Sequence, residues 1–360
     1  MDSKNKNLNS RKTNEDNFSK IKNLFLSSGI PLEASVSKKL QEIGYDDLGE
    51  PFSIREDNIS SADIFCQKRK WIELSRGNEK IEIEVFLNFI IECKYRERNK
   101  KWFFMPFTNS DGEISRQRVY DSIYIIPYIL NSWAPKPIES ILSGLLSQSI
   151  EKKSFQKGVE ILPSGQHCPI DKPIYQVMGA SIDQIFEFLE REFDGLYHKD
   201  GSIGIFIPIV VTTAKLFATK DSLLIEDLEN AEKIEDIANE LDSIFIKTQL
   251  PPFLVKHTRI KFKEHFDKLR KIKMYNHPIN NPILLKKYLA MENRGPIRLD
   301  LLRENAQYGS KNIAGRIFII NYNKLENEIK KIEDFYMSIF KNPSEKLPIL
   351  DEFDYDVKII

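Results

Sequence analysis

The residues best suited to chemistry lie on two segments that flank a predicted turn at Gly77 and Asn78. Asp63 precedes this turn, and Glu92 and Lys94 follow it. In a regular hairpin centred on the turn, Asp63 and Glu92 are equally far from the centre and lie directly opposite each other, with Cβ atoms about 5 Å apart. Lys94 is two residues beyond Glu92 and projects from the same face of the strand. The spacing therefore predicts two carboxylates and one ammonium group together on one face of a sheet.

Two neighbouring carboxylates repel each other unless a cation lies between them. Oxygen ligands of this kind suit Mg²⁺ or Mn²⁺, which keep several waters and take one or two carboxylates from the protein. A metal ion held there acidifies a water molecule and neutralises charge on a phosphoryl oxygen. A nearby lysine can orient or deprotonate the attacking water and stabilise the transition state. Asp63, Glu92 and Lys94 are therefore expected to use Mg²⁺, with Mn²⁺ as a substitute, to hydrolyse a phosphodiester bond.

A Glu-x-Lys triplet is a weak signal by itself, since residues 151–153 and 328–330 also match it, both in helical or linker surroundings. The triplet at 92–94 differs because it ends a segment with strand alternation. The other face of this segment begins and ends polar, and its apolar face consists of Ile81, Ile83, Val85, Leu87, Phe89, Ile91 and Cys93. The alternative is a cross-strand ladder of salt bridges on a solvated face of the sheet.

The elements that would position these residues alternate between strand and helix. Helical spacing of Leu32, Val36 and Leu40 predicts a first helix that is closed by Gly44. Strands follow, then a second helix capped by Ala180 or Ser181, and then a buried strand rich in Ile, Val and Thr. This order implies a mixed α/β sheet. The predicted elements span residues 31–43, 45–57, 61–70, 81–95, 180–194 and 204–219.

This order, together with Ala62-Asp63-Ile64 and Ile91-Glu92-Cys93-Lys94, resembles the PD-(D/E)XK, or restriction-endonuclease-like, superfamily, whose core order is αβββαβ. The similarity covers roughly half of the chain. Ala62 stands where the signature has a proline, and a long insertion precedes the second helix. The resemblance implies an α/β fold with a mixed sheet, a long insertion and a helical C-terminal region.

The resemblance also implies roles for individual residues. Asp63 and Glu92 would be metal ligands, the carbonyl of Cys93 would complete the shell, and Lys94 would be the catalytic lysine. Many members of the superfamily carry a glutamate on the first helix near the metal ions, and Glu33 stands at that place. A carboxylate in a first helical turn is also favoured by the helix dipole, so Glu33 has a purely structural alternative.

The predicted organisation of the chain follows from these elements. Nuclease-core segments are expected on both sides of an insertion made of short helices and loops, and a tail is expected at each end, of which the first is polar. The C-terminal part is expected to be mainly helical, with one added strand near 316–322. The predicted boundaries are a disordered tail at 1–16, the core at 17–107 and 175–222, the insertion at 108–174, the helical region at 223–345 and a tail at 346–360.

Composition limits the classes of function. The 53 basic and 53 acidic residues cancel, so a nucleic-acid partner must be held by a local patch. Three widely spaced cysteines argue against a disulfide framework and for a reducing cytoplasm. The most apolar stretch, 203–211, is about half the length that a membrane-spanning helix needs. We therefore expect a cytoplasmic protein with no membrane association.

Two segments are candidates for contact with nucleic acid. A predicted basic helix contains Lys256, Arg259, Lys261, Lys263, Lys268, Arg270, Lys271 and Lys273 against only Glu264 and Asp267, and it could follow a phosphate backbone or form a solvated face. The aromatic run 102–104 could stack on bases. Core packing is the favoured alternative for that run.

The sequence therefore predicts a Mg²⁺-dependent endonuclease of a restriction or phage-defence type. DNA is the expected substrate and RNA the alternative, with a homodimer or a defence-system protein as further partners. A second hypothesis is a non-catalytic module that binds nucleic acid or a partner protein and keeps a nuclease-like sheet. A third is a stress or defence subunit whose activity needs another protein.

Overall fold

A computed structural model gives the structure of the protein. It describes residues 17–55, 58–76, 79–97, 100–106, 116–118, 123–125, 151–153, 155–162, 164, 166–194, 202–220, 223–248, 250–274, 316–341 and 356–359. The tail predicted at 1–16 and most of the predicted insertion lie outside these residues. Among the described residues, no helix has an apolar stretch long enough to cross a lipid bilayer.

The protein is a mixed α/β protein in which helices flank a large sheet. Its helices are α1 (17–27), α2 (Ile30–Glu42), α3 (Asp171–Asp194), α4 (Ile225–Asn230), α5 (Ile234–Ile237), α6 (Pro252–Met274) and α7 (Leu325–Lys341).

The strands run from β1 to β17 along the chain. They are β1 (Asp46–Asp47), β2 (Phe52–Arg55), β3 (Asn58–Ser61), β4 (Ile64–Arg76), β5 (Glu79–Lys94), β6 (Lys101–Pro106), β7 (Arg116–Arg118), β8 (Ile123–Ile125), β9 (Glu151–Lys153), β10 (Phe155–Ile161), β11 (His167–Pro169), β12 (Ser202–Thr212), β13 (Lys215–Thr219), β14 (Ala238–Leu241), β15 (Ser243–Lys247), β16 (Arg316–Asn321) and β17 (Asp356–Ile359).

Within the described part of the chain, 13 strands form one mixed sheet in the order β1-β4-β5-β12-β16-β15-β10-β6-β13-β14, and β8, β11 and β17 join it beside this path. Strands β4 and β5 pair antiparallel, whereas β12 runs parallel to both β5 and β16. Two short pairs, β2 with β3 and β7 with β9, lie outside this sheet. Glu92 and Lys94 lie at the end of β5, an inner strand of the sheet.

The register predicted for the hairpin is confirmed. Ile64 lies opposite Ile91 at one end of the β4–β5 ladder, and Arg76 lies opposite Glu79 at the other. All pairs between them follow the same register, which is the one predicted from a turn centred between residues 77 and 78. Because no bulge shifts this ladder, the position of a residue in the sequence determines which residue lies opposite it on the other strand.

Helix α2 also forms as predicted. Its apolar residues Leu32, Val36 and Leu40 recur at helical spacing, and all three are buried. Gly29 and Gly44 flank the helix with φ values of 87° and 86°, which only glycine adopts without strain. These two glycines therefore fix where the helix begins and ends.

Both faces of β5 are buried from Glu84 to Cys93, which corrects the prediction of a partly polar open face. Val85, Leu87, Phe89, Ile91 and Cys93 belong to a core shared with α2 and α7. On the other face Phe86 and Ile90 belong to a second core, which is built largely with α3. Helix α3 thus covers the face that carries Glu92, and the polar residues of that face are buried with it: Glu84, Asn88 and Glu92.

Helix α3 is longer than predicted. It begins at Asp171, about ten residues before the predicted cap, and it ends at Asp194 as expected. Ser181 does not cap the helix, because it lies well inside it, where its hydroxyl donates to the carbonyl of Val177 one turn earlier, at 2.6 Å. Pro173 lies in the first turn, where a missing N–H breaks no helical hydrogen bond.

Two predicted strands are each divided in the structure. The stretch 45–57 forms β1 and β2, because Gly49 has a φ of 91° and Pro51 follows it. The stretch 204–219 forms β12 and β13, which are separated by a bend at residues 213–214. There the hydroxyl of Thr212 accepts a hydrogen bond from the backbone N–H of Ala214 at 3.1 Å, which closes the turn locally.

The expectation of short helices and loops across 108–174 is wrong for its described part. Strand β10 pairs with β6 across the whole of its length, and β11 adds to its other side. Gly158 on β10 lies under Phe104, where a Cβ atom would be 2.4 Å from the ring. The glycine thus permits close packing of neighbouring strands.

The expectation of a mainly helical region at 223–345 with a single strand is also corrected. Helix α6 and strand β16 occur where predicted, and α7 agrees with the expected helical character of the region, but β14 and β15 extend the sheet. The apolar run of β15, residues 244–246, has only three members, which is too few for periodicity to indicate a strand. At the C-terminal end, β17 pairs with β4, so part of the predicted tail joins the sheet.

Candidate active site

Asp63 is held against the strand that carries the other two members of the predicted site. Its backbone N–H donates to the carbonyl of Ile91 at 2.9 Å, which extends the hairpin pairing by one residue. The backbone N–H of Cys93 donates to Asp63 Oδ2 at 2.5 Å. Both the backbone and the carboxylate of Asp63 are therefore fixed relative to Glu92 and Lys94.

Glu92 is a buried carboxylate with one unsatisfied oxygen. Its exposed fraction is 0%. Oε1 forms an ion pair with Lys94 Nζ, whereas Oε2 is buried with no hydrogen-bond partner among the described residues. Burial, and then the charge of Asp63, raise the pKa of Glu92 to about 7 despite the opposing effect of Lys94. The negative charge of Glu92 is thus only partly compensated by Lys94.

The pKa of Asp63 is also raised, but this side chain is more accessible than that of Glu92. Burial raises its pKa, and Glu50 adds to the shift, while the N–H of Cys93 and the ammonium of Lys94 oppose it. Asp63 and Lys94 are both partly exposed. The site therefore extends from the fully buried Glu92 to the partly exposed Asp63 and Lys94.

Glu33 joins the same cluster from a different element. It occupies the first turn of α2, where the helix dipole also favours a carboxylate. Burial raises its pKa, and the charges of Asp63 and Glu50 add to the shift, with Lys94 opposing it. The structure thus brings all four predicted residues together: Glu33, Asp63, Glu92 and Lys94.

The side chain of Cys93 is not part of the site. Its thiol is buried in the core shared with α2 and α7, on the opposite face of β5 from Glu92. Burial and the nearby carboxylates raise the pKa of this thiol well above its usual range, so it stays protonated. Cys93 supports the site through its N–H, and a metal-ligand role for its carbonyl stays a prediction.

Three further residues at the site were missed by sequence reasoning. Glu50 is exposed after the turn at Gly49 and affects the pKa of Glu33 and Asp63. The hydroxyl of Thr212 donates to the carbonyl of Lys94 at 2.9 Å.

The third is Gln176 on α3, whose Nε2 donates to the carbonyl of Ser61 at 3.3 Å, two residues before Asp63. No local motif marks Glu50 or Gln176. Thr212 becomes recognisable only when β12 is known to pair with β5, opposite Lys94.

The donor set fits a hard divalent cation. Carboxylate oxygens are the ligands that Mg²⁺ and Mn²⁺ prefer, and within the described part of the chain the Oε2 of Glu92, beside Asp63, has no positive partner. Across the described ranges, no group of three or more His, Cys, Asp or Glu side chains forms a ready-made metal cage. Mg²⁺ commonly uses only one or two protein carboxylates and keeps its waters. Asp63 and Glu92 supply enough carboxylates for Mg²⁺ to bind in this way.

Other sequence candidates lie elsewhere. Trp102 and Phe104 are fully buried, and Phe103 stacks on Phe217 with ring centroids 5.1 Å apart, so core packing accounts for this run. The triplet at 328–330 lies on α7, as its helical surroundings suggested. The triplet at 151–153 forms β9, a strand rather than a helix or linker.

The salt-bridge alternative requires a solvated face, and the burial of Glu92 contradicts it. What the arrangement can do is bind a cation between two carboxylates beside an ammonium group that reaches the surface. No protein-family model, curated protein or solved structure matches this chain.

Proposed function

We propose that this protein is a Mg²⁺-dependent nuclease that hydrolyses phosphodiester bonds, with DNA as its substrate. The observation that carries the proposal is the buried Glu92 carboxylate, whose Oε2 has no partner among the described residues while Asp63 and Lys94 lie beside it. A buried carboxylate next to another is costly unless a cation compensates it. A divalent ion would remove that cost.

The fold supports the same proposal. Helix α2, the β4–β5 hairpin, helix α3 and the parallel strand β12 follow one another in the order expected of a restriction-endonuclease-like core. The resemblance of the residues around Asp63 and Glu92 to the PD-(D/E)XK motif agrees with this order. A cytoplasmic restriction or phage-defence role is part of the proposal through that resemblance alone.

Each residue has a distinct role in the proposed reaction. Asp63 and Glu92 would hold Mg²⁺, and Glu33 would orient the water molecules around them. When bound, the ion would supply a lowered pKa for water and neutralisation of phosphoryl charge. Lys94, whose side chain is 23% exposed, would face the substrate and donate hydrogen bonds to the attacking water and to a phosphoryl oxygen. Thr212 would hold the backbone at Lys94 in place.

Calorimetric titration with Mn²⁺ and Mg²⁺ tests the metal site directly. The wild-type protein should bind the ions, and Asp63→Ala should lose this binding. Glu240→Ala is a matched control, because Glu240 is an exposed carboxylate paired with Lys215 on an edge of the sheet. Absence of metal binding, or binding that Asp63→Ala leaves unchanged, would contradict the proposal and favour the non-catalytic binding module.

A further inference from the structure

Helix α6 borders an open groove that lies outside the carboxylate site. The groove has a volume of about 530 Å³, within the range of sites that receive small molecules or parts of larger ligands. Its apolar lining includes Leu250, Val255 and Ile260. Its cationic lining consists of Lys256, Arg259 and Lys263.

The cationic residues of the groove share one face of the helix. Lys256, Arg259 and Lys263 are spaced three and four residues apart, which places them in a row along α6. All three are exposed, as is Ile260 among them, with an exposed fraction of 45%. A chain with 53 basic and 53 acidic residues thus concentrates positive charge next to an apolar surface here.

The opposite side of α6 is tied to the body of the protein. His257 Nε2 lies 2.7 Å from Asp183 Oδ1 on α3, and Lys261 Nζ lies 3.7 Å from the same oxygen. Thr258 is buried and donates to the carbonyl of Leu254. These contacts set the rotation of α6 and leave the row of cations turned outward.

A short chain of contacts links the groove to the carboxylate site. The ring of Phe253, in the first turn of α6, packs edge-on against Tyr175 of α3, with centroids 6.1 Å apart. The next residue of α3, Gln176, donates to the carbonyl of Ser61, two residues before Asp63. The first turn of α6 therefore packs on the part of α3 that contacts the segment leading to Asp63.

We propose that this groove binds a single strand of nucleic acid and leads it to the carboxylate site. The phosphates would contact Lys256, Arg259 and Lys263, and the bases would pack on Ile260 and Phe253. A single strand exposes both phosphates and the faces of its bases, whereas a duplex presents its phosphates and hides its base faces. Cations interleaved with apolar surface match the single strand. The inference rests on the proposed function and names the form of its substrate.

Fluorescence anisotropy with a labelled oligothymidylate of about 15 nucleotides, in EDTA to prevent cleavage, tests the proposal. The variant Lys256→Glu/Arg259→Glu/Lys263→Glu should bind at least about tenfold more weakly than wild type. Because each phosphate contact to a single strand contributes roughly 0.7 to the logarithmic salt dependence, the slope should fall by about 2. The charge-matched control Lys38→Glu/Lys220→Glu/Lys330→Glu changes three exposed lysines elsewhere and should retain both affinity and slope.

Ile260→Ser tests the apolar part without a change of charge. It should weaken binding of the oligothymidylate several-fold and leave the salt slope unchanged. Equal effects of the groove triple variant and the control triple variant, or tighter binding of a duplex of the same length than of the single strand, would overturn the proposal.

Hydrolysis of bis(p-nitrophenyl) phosphate with Mn²⁺ separates this inference from the proposed function. This small diester needs the carboxylate site but not the groove, so the groove variants should hydrolyse it at the wild-type rate. If neither wild type nor any groove variant hydrolyses the diester, but the groove still binds single strands selectively, the proposed function fails and the inference about the groove is supported. If hydrolysis is normal while groove substitutions leave oligonucleotide binding unchanged, the groove inference alone fails.

Discussion

The carboxylate of Asp63 accepts a hydrogen bond from the backbone N–H of Cys93, the residue between Glu92 and Lys94. The contact joins the start of β4 to the end of β5 at the point where the hairpin register brings the acidic residues together. The geometry of the candidate site therefore depends on strand pairing rather than on a flexible loop. Side chains fixed in this way lose little entropy when a ligand binds.

Two substitutions of Asp63 should separate its structural role from its role toward a metal ion. Asp63→Asn keeps an oxygen that can accept from Cys93, whereas Asp63→Ala leaves that N–H unsatisfied. Both variants should lose Mn²⁺ binding, but only the alanine variant should lose about 1–3 kcal/mol in the free energy of unfolding. Urea denaturation beside calorimetry checks this. Equal destabilisation by both substitutions would show that the hydrogen bond does not hold the site.

The raised pKa of Glu92 predicts how the stability of the metal-free protein depends on pH. Because the folded pKa, about 7, exceeds the ordinary value of 4.5, the folded state binds the proton more tightly than the unfolded state. The contribution of this shift to the free energy of unfolding should therefore be fully present below about pH 4.5. It should be lost as pH rises through 7, which lowers stability by up to about 3 kcal/mol. The raised pKa of Asp63 acts in the same direction.

Thermal unfolding followed from pH 4 to pH 8 measures this decline. Glu92→Gln should flatten the curve, because it removes the titrating group, and Glu240→Gln on the exposed edge should leave the wild-type curve unchanged. Mg²⁺ should restore stability at the upper end of the range in wild type but not in Glu92→Gln. A wild-type protein whose stability rises from pH 5 to pH 7 would contradict the assignment.

Glu33 and Glu50 should differ in their importance. Both affect the carboxylates of the site, but Glu33 is half-buried on α2, whereas Glu50 is exposed, where solvent weakens its effect. Glu33→Gln should lower metal affinity or cleavage by about tenfold, and Glu50→Gln by less than about threefold. Titration and cleavage rates measured side by side test this order. A larger effect of Glu50→Gln would place the metal ion further out than Asp63 and Glu92 allow.

Gly204 on β12 should not tolerate a larger residue. A Cβ atom there would lie 2.7 Å from the ring of Phe188 on α3 and 2.8 Å from the ring of Phe206. Gly204→Ala should therefore destabilise the fold by about 1–3 kcal/mol, because helix and strand must move apart. Chemical denaturation gives the value. A change below about 0.5 kcal/mol would mean that α3 packs less tightly on β12 than the structure has it.

The hairpin and helix α2 could be predicted from the sequence because local signals determine both. The Gly-Asn pair in the sequence at 77–78 and the alternation along β5 predict one register, and Gly29 and Gly44 bound a helix with a clear apolar face. Once the register is known, the proximity of Asp63 and Glu92 follows from counting. The site was predictable to this extent because three of its four predicted residues lie on one hairpin.

The rest depends on contacts between distant parts of the chain. Strand β10 pairs with β6, and β15 pairs with β16, across long stretches of sequence, so no local pattern reveals them. Helix α3 buries the face of β5 that appeared polar, because Phe86 and Ile90 interrupt its polar residues and pack on the helix. Thr212 enters the site through the parallel pairing of β12 with β5.

The proposed catalysis depends most on Lys94, and one comparison of cleavage rates tests this role directly. Lys94→Ala removes the ammonium beside Glu92, and Lys330→Ala removes the lysine of the equivalent Glu-x-Lys triplet on the exposed side of α7. With Mg²⁺ or Mn²⁺, wild type and Lys330→Ala should nick supercoiled DNA at similar rates, and Lys94→Ala should be about 10²- to 10⁴-fold slower with its fold intact. If wild type and Lys94→Ala behave alike on both DNA and RNA, the proposed catalytic role of this site is wrong.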